Sequence, residues 1–216
     1  MFPLSVIILA AGASSRMKSE LNEHKLTLRF PHSGKTLLET TLECYSSLPF
    51  LEILLVLPPD EHHPETHPRT SDATNRSVSS IRSIFNPATE RGMAYSLALG
   101  IKAASPEAQG FLIALGDMPF IRPATIEALC NVFFRATAPE AICVPYYQRK
   151  RGNPVLFGRA YSEDLQKLQG DTGAKSLLEK YEQYVISLQT EDEGILRDID
   201  TKEDWLRYGA YREGSY

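Results

Sequence analysis

The chain has 216 residues, 43% hydrophobic and 23% charged, proportions that exclude collagenous, coiled-coil and globally disordered classes and leave one domain over 1–216 as the expectation. Its 23 Lys and Arg stand against 27 Asp and Glu, a net charge of −4. Bulk charge therefore offers no route to nucleic acid or to an anionic membrane, and any anionic ligand has to be held by local groups. The three cysteines, Cys44, Cys130 and Cys143, are odd in number and far apart, which argues for a reducing compartment and against a disulfide framework or a zinc site. The apolar N-terminal stretch lacks a basic leader and is too short to span a bilayer, so a cytoplasmic protein is expected.

In chain order, Ser5–Ala10 (SVIILA) is an uninterrupted apolar run that stops at Gly12, the pattern of a strand buried on both faces. Thr36–Tyr45 has helical periodicity, and Gly34-Lys35 ahead of it reads as a turn and helix start. His32–Thr36 (HSGKT) is not a P-loop, because Arg29 stands where the first glycine must be. Strands are expected at Ile53–Leu57 and Ile81–Phe85. Between them Pro58–Ser80 is polar, rich in Pro, Ser and Thr, and long for a connection, which marks a mobile surface excursion. Its His62, His63 and His67 read as solvated side chains more readily than as metal ligands.

Gly92 opens a helical stretch (GMAYSLALGIKAA) in which Ser96 reads either as a ligand contact or as a solvent-facing helix serine. Gly110–Leu115 is the fourth strand. Ile126, Leu129, Cys130 and Phe133 then mark a helix with Pro123 in its first turn, and Ala141–Val144 is the fifth strand. Tyr146–Phe157 (YYQRKRGNPVLF) has a basic tip and suits a projecting hairpin or lid more than a core element. A final helix carries Trp205. Strands alternating with helices predict an α/β fold: three-layer αβα, Rossmann-like, with right-handed crossovers, a mainly parallel sheet and a small projecting hairpin.

In such sheets ligands bind beyond the carboxyl ends of the strands. Small residues Ala10–Ser15 follow the first strand and let backbone N–H groups approach an anion, while Arg16 adds a fork of donors suited to phosphate; the alternative is a tight turn that happens to contain glycine. The dinucleotide pattern GxGxxG is absent. Asp117, in Gly116–Pro119 (GDMP), lies at the tip of a central strand, as a magnesium ligand or as the cap of a proline turn. Asp198 and Asp200 alternate around Ile199, so on an extended segment both carboxylates reach one metal; alternatively Asp200 or Thr201 caps the final helix, with Glu203 and Asp204 in its first turn. Together these residues describe a site for a polyphosphate and its divalent cation.

Leu9–Met17 (LAAGASSRM) resembles the LAAGxSxRM signature of nucleotidyltransferases, and specifically of the molybdenum cofactor cytidylyltransferases. Further blocks of that family are matched in order by Asn86-Pro87, Gly92–Leu97 (GMAYSL), Gly116–Pro119, Gly152–Val155, Gly170–Gly173 and Asp198–Asp204, the last with Lys202 in place of proline. The resemblance implies a nucleotide-binding domain that transfers CMP from CTP to the terminal phosphate of molybdopterin and releases pyrophosphate. It implies Mg2+ on Asp117 with Asp198 or Asp200, and backbone around Ala11–Ala13 with Arg16 on the leaving pyrophosphate. Lys25 matches the lysine near the α-phosphate, with Lys18 the alternative in a loop that carries an insertion. Leu9, Ala10, Ala11, Gly12, Ala13, Asn86, Gly92 and Ser96 would hold the nucleotide; Arg149, Lys150, Arg151 and Asn153 the pterin phosphate. The partners implied are CTP, molybdopterin and a recipient molybdoenzyme, with no nucleic acid and no membrane. Guanylyl transfer is the near alternative, although Ala11 replaces the first glycine of the LAGG common there. A sugar-phosphate nucleotidyltransferase matches the later blocks poorly, and a non-catalytic cofactor carrier or insertion chaperone is the alternative of another class.

Overall fold

The computed structural model of the protein describes residues 1–12, 24–59, 80–171 and 174–208. Among these, strands β1 (Phe2–Leu9), β2 (Phe50–Leu57), β3 (Ile81–Phe85), β4 (Gly110–Leu115), β5 (Ile142–Tyr147), β6 (Lys150–Arg151), β7 (Val155–Gly158) and β8 (Val185–Gln189) form one sheet. Its order is β3-β2-β1-β4-β7-β5, with β8 parallel to β5 and the short β6 antiparallel to the end of β5. Only β6 and β7 run against the other strands. The helices are α1 (Leu37–Ser46), α2 (Met93–Ala103), α3 (Pro123–Ala136), α4 (Ser162–Gln166), α5 (Lys175–Lys180) and α6 (Lys202–Tyr208).

The alternation of side chains along a strand explains the three layers. In β1, Leu4, Val6 and Ile8 join one apolar cluster and Ile7 and Leu9 the other, so a run with no polar face has to be covered on both sides. Helices α1 and α3 cover the first face through Leu38, Leu42, Ile126 and Leu129. Helices α2, α4 and α5 cover the second through Leu97, Ile101, Leu165 and Leu178. The polar exception in β1, Ser5, is fully buried and donates to Glu52 Oε1 at 2.6 Å, which satisfies both groups. Burial pushes the thiols of Cys130 and Cys143 up to about 12, so both behave as small apolar fillers.

Two expectations are corrected. The crossovers β1-α1-β2 and β3-α2-β4 run in opposite directions along the sheet on opposite faces, so they share one hand. The crossover β4-α3-β5 runs in the same direction as β3-α2-β4 yet on the α1 face, so its hand is opposite. Antiparallel β7 fills the gap between β4 and β5, which keeps this uncommon connection fully hydrogen-bonded.

The second correction concerns Tyr146–Phe157, which projects only at its tip, the two-residue turn Gln148-Arg149. Its return strand β7 is buried on both faces in the middle of the sheet. A run of four apolar residues is too short for periodicity to separate a core strand from the flank of a lid.

Gly34 has φ +70, and Thr36 caps α1 in a reciprocal box: Glu39 N donates to Thr36 Oγ1 at 3.1 Å and Thr36 N to Glu39 Oε2 at 2.7 Å. The Gly-Lys-Thr run is thus a turn and cap. Residues 60–79, with His62, His63 and His67, lie outside the described residues. Among the described residues no helix is long and apolar enough to cross a membrane.

Candidate active site

Strands β1 and β4 are neighbours, but the chain leaving β1 returns to β2 on one side while that leaving β4 goes on to β5 on the other. A crevice opens at such a divergence. A cavity of about 550 Å³ lies there, with Leu9, Ala10, Ala11 and Gly12 along one wall. Gly116 N donates to Leu9 O at 2.9 Å, and a Cβ on Gly116 would stand 3.0 Å from Ala10 Cβ, so the two strand ends meet closely. Thr41 Oγ1 in α1 donates to Gly116 O at 3.0 Å and fixes the turn that presents Asp117.

Lys25 opens a short 3-10 turn, Lys25–Thr27. The buried His24 caps it: Nδ1 accepts from Leu26 N at 3.4 Å, and Nε2 lies 3.1 Å from Gly12 O, an arrangement that assigns the proton to Nε2. One imidazole therefore clasps the end of the first wall to the lysine. Lys25 Nζ donates to Asp117 Oδ2 at 2.6 Å and also to Asp200 Oδ1. Only 12% of the Lys25 side chain and 16% of that of Asp117 are exposed. Burial alone lowers the pKa of the ammonium; the Asp117 charge and the hydrogen bonds to both carboxylates overcome this and hold Lys25 above its ordinary value.

The acidic segment reaches this point from the far end of the chain. Ile199 is buried and its N–H donates to Asp117 O at 3.0 Å, which brings Asp198 and Asp200 onto the cavity. Thr201 caps α6: its Oγ1 accepts from Asp204 N at 3.1 Å, and Asp204 Oδ2 accepts from Thr201 N at 2.9 Å. The Asp200 carboxylate is left to face Lys25. Trp205 of α6 packs on Phe30 with ring centroids 4.9 Å apart, tying the segment after Asp200 to the segment after Lys25. Desolvation, together with the charges of Asp117 and Asp200, pushes the Asp198 carboxyl up.

Five carboxylates line the cavity, from Glu90, Asp117, Asp171, Asp198 and Asp200, and Lys25 is its one basic side chain among the described residues. No three metal-ligating side chains converge among the described residues. Lys25 stands between Asp117 and Asp200 instead. The donor set nevertheless suits a hard divalent cation: Asp117 Oδ1 is buried without a hydrogen-bond partner among the described residues, and Asp198 carries a charge that its surroundings disfavour.

The opposite wall is the start of α2. Gly92 has φ +84, and a Cβ there would meet Asp171 Oδ1 at 2.4 Å and Gly170 O at 2.9 Å, so only glycine fits. Met93 N donates to Asp171 Oδ1 at 3.1 Å and Ala94 N to Gly170 O at 3.0 Å, so a distant loop caps the helix. Ser96 is buried, lines the cavity and accepts from Asn86 Nδ2 at 2.8 Å, which excludes a solvent-facing serine. Asn86 itself is fully buried, does not line the cavity, and accepts at Oδ1 from Ala88 N at 2.8 Å. The amide is engaged within the protein by Ser96 and Ala88 and stands behind Ser96 as seen from the cavity.

Arg149, Arg151 and Asn153 do not line this cavity. Arg149 is exposed at the hairpin tip with φ +66, a strained backbone for a non-glycine residue. Arg151 borders a second cavity of about 440 Å³ with Tyr146, Glu179, Glu182 and Ser187, and Asn153 N donates to Ile195 O at 3.0 Å.

Residues 6–185 match the MobA-like NTP transferase domain. The chain belongs to this family. The bifunctional protein GlmU of Buchnera aphidicola subsp. Acyrthosiphon pisum (strain Tuc7) is 32% identical over 124 residues, which are 57% of this chain and 24% of GlmU, so the chain spans about a quarter of that relative. Rv0371c from Mycobacterium tuberculosis H37Rv superposes with a TM-score of 0.74 at 26% identity over 97% of this chain and 99% of its own. Its complex with manganese does so at 0.69 and 24%, over 94% and 96%. The 4-diphosphocytidyl-2C-methyl-D-erythritol synthase of Anaerococcus prevotii DSM 20548 shares the fold, at 0.71 and 20% over 96% and 97%.

In this MobA-like domain the structure brings Leu9, Ala10, Ala11, Gly12, Lys25, Gly92, Ser96, Asp117, Asp198 and Asp200 to one cavity. Ala13, Arg16 and Lys18 lie outside the described residues. Sequence reading missed His24 and Asp171. The signals were the histidine directly before Lys25 and the Asp of the Gly170–Gly173 block, to which no role was attached.

Proposed function

We propose that this protein is a nucleotidyltransferase that transfers CMP from CTP to the terminal phosphate of a molybdopterin cofactor with magnesium, that its 216 residues act as one catalytic domain, and that a molybdoenzyme receives the product. The observation that carries the reading is Lys25 held by Asp117 and Asp200 on the floor of a cavity walled by Ala10–Gly12 and the capped start of α2. An oxygen of the acceptor phosphate attacks the α-phosphorus, the bond from that phosphorus to the bridging oxygen breaks, and pyrophosphate leaves with the electron pair. The nucleophile is already an anion, so positioning and charge neutralisation do the work without a general base.

In this scheme Lys25 donates to the α-phosphate and stabilises the charge that develops there. The backbone of Ala10–Gly12, continued by Ala13 and Arg16, holds the β- and γ-phosphates. Gly92 and Ser96 face the nucleoside, with Asn86 behind Ser96. Asp117 with Asp198 or Asp200 would hold the magnesium, which supplies screening between the two polyanions when bound. The Ala11 methyl on the cavity wall narrows it relative to a glycine and supports a pyrimidine base. Arg149, Lys150, Arg151 and Asn153 serve the pterin phosphate.

Pyrophosphate release, measured with CTP, GTP and UTP separately, magnesium, and either molybdopterin or a sugar 1-phosphate as acceptor, tests the proposal. Release is expected with CTP and molybdopterin. Turnover confined to GTP or to the sugar phosphate overturns the assignment, and pterin binding without turnover of any nucleotide makes the protein a carrier.

A further inference from the structure

The electrostatics of the cavity pose a problem that the transfer reaction alone does not answer. Five carboxylates and one lysine line it among the described residues, yet its substrate is a triphosphate. The lysine is shared by Asp117 Oδ2 and Asp200 Oδ1, so a divalent ion held by Asp117 with Asp198 or Asp200 would stand against its ammonium. We infer that Lys25 is a resident stand-in for the divalent cation: without nucleotide it neutralises Asp117 and Asp200 and keeps a free metal ion out, and it moves to the phosphate when the nucleotide brings the metal.

Three features support this. First, the carboxylates are positioned by groups other than Lys25. Asp117 O accepts from Ile199 N and the preceding Gly116 O from Thr41, and Asp200 is followed directly by the Thr201–Asp204 cap, so the backbone of the acidic pair is fixed without the lysine. Second, the backbone beside Lys25 is anchored by the His24 clasp to Gly12 and Leu26, so a new position of the ammonium needs only rotations within its four-carbon stem. Third, an ammonium and a dication cannot share two carboxylates at contact distance without strong repulsion in a half-buried site. A triphosphate supplies Lys25 with new acceptors and its metal supplies the carboxylates with a new cation, so the two ligands bind cooperatively. The destination of the lysine rests on the nucleotidyl-transfer proposal above; its competition with the metal rests on the geometry alone.

Manganese binding to the nucleotide-free protein, titrated by electron paramagnetic resonance, reads the competition without any turnover. Lys25→Met is expected to bind Mn2+ at least about tenfold more tightly than the wild type, while Lys25→Arg, which keeps the charge, stays weak. In the wild type a non-hydrolysable CTP analogue is expected to tighten Mn2+ binding at least about tenfold, and in Lys25→Met by much less. Lys25→Gln carries the same expectation as Lys25→Met, and circular dichroism identifies the variants that fold. Unchanged or weaker Mn2+ binding in the folded neutral variants overturns the inference. If the wild type binds no nucleotide with or without manganese, the transfer proposal fails instead, and the metal titration of the variants still decides the stand-in role.

Discussion

Where β1 and β4 meet in the middle of the sheet, Lys25 is bonded to both Asp117 and Asp200, and His24, Thr41, Ile199 and Thr201 hold the backbone around them. At the β5–β6 end, Arg149, Lys150 and Arg151 are exposed, and the neighbouring cavity sets Arg151 beside Glu179 and Glu182 with no ion pair among them. The first region is pre-built and the second is open. Bond rearrangement at a triphosphate needs charges aimed in advance, and strand ends provide that rigidity. In the proposed reaction, choice of acceptor would need a surface that can vary without disturbing the reacting groups, as a hairpin tip can.

The contrast is broken hardest at Asp117. Asp117→Ala is expected to lower kcat for pyrophosphate release by roughly a thousandfold, with a cooperative melting transition retained. Near-normal turnover would remove this carboxylate from the reaction centre. A middle effect is expected at the hairpin: Arg149→Gly raises KM for the acceptor several-fold and leaves KM for CTP unchanged. Because it also relieves a positive φ, the same substitution is expected to raise stability by up to ~1 kcal/mol in chemical denaturation. A rise in KM for CTP would show that the two ends are not separate.

The smallest effect lies behind the rigid end. Burial raises the Asp204 carboxyl, but hydrogen bonds from Thr201 and from the Asp200 backbone lower it further, for a net fall below its ordinary value. A depressed carboxylate stabilises the fold above its ordinary pKa, and that contribution is lost as pH falls through the depressed value. Asp204→Ala is therefore expected to cost about 1 kcal/mol at neutral pH, and the gap from the wild type should close in acid. A gap that persists at low pH would assign the loss to packing of α6.

How much of this was legible varies by element. Strands β1 and β2 carry apolar runs of four and five residues, each after one polar residue, β4 is apolar throughout, and helix α3 shows its periodicity and its N-terminal proline, so local pattern sufficed. Strand β7 was hidden because four apolar residues after a proline carry too little period. The hand of the β4-α3-β5 crossover was hidden because it depends on which strand fills the gap. Asn86 and Ser96 belong to successive blocks of the resemblance, but nothing local says that they hydrogen-bond to each other, because the bond joins the end of β3 to the face of α2.

By itself the sequence determined a layered α/β protein with a small-residue turn after the first strand and acidic residues after the fourth strand and before the last helix. Each of these follows from local periodicity, residue size and turn chemistry. Only the tertiary structure decided that Lys25 bonds to partners 92 and 175 positions away, that Thr201 rather than Asp200 caps α6, and that Asp171 closes the start of α2. Charge pairing falls off with distance in space and is indifferent to distance along the chain, so no local pattern encodes it. The net charge of −4 excluded a bulk attraction for anions; among the described residues the fold places one ammonium beside five carboxylates, an arrangement that only packing in space could produce.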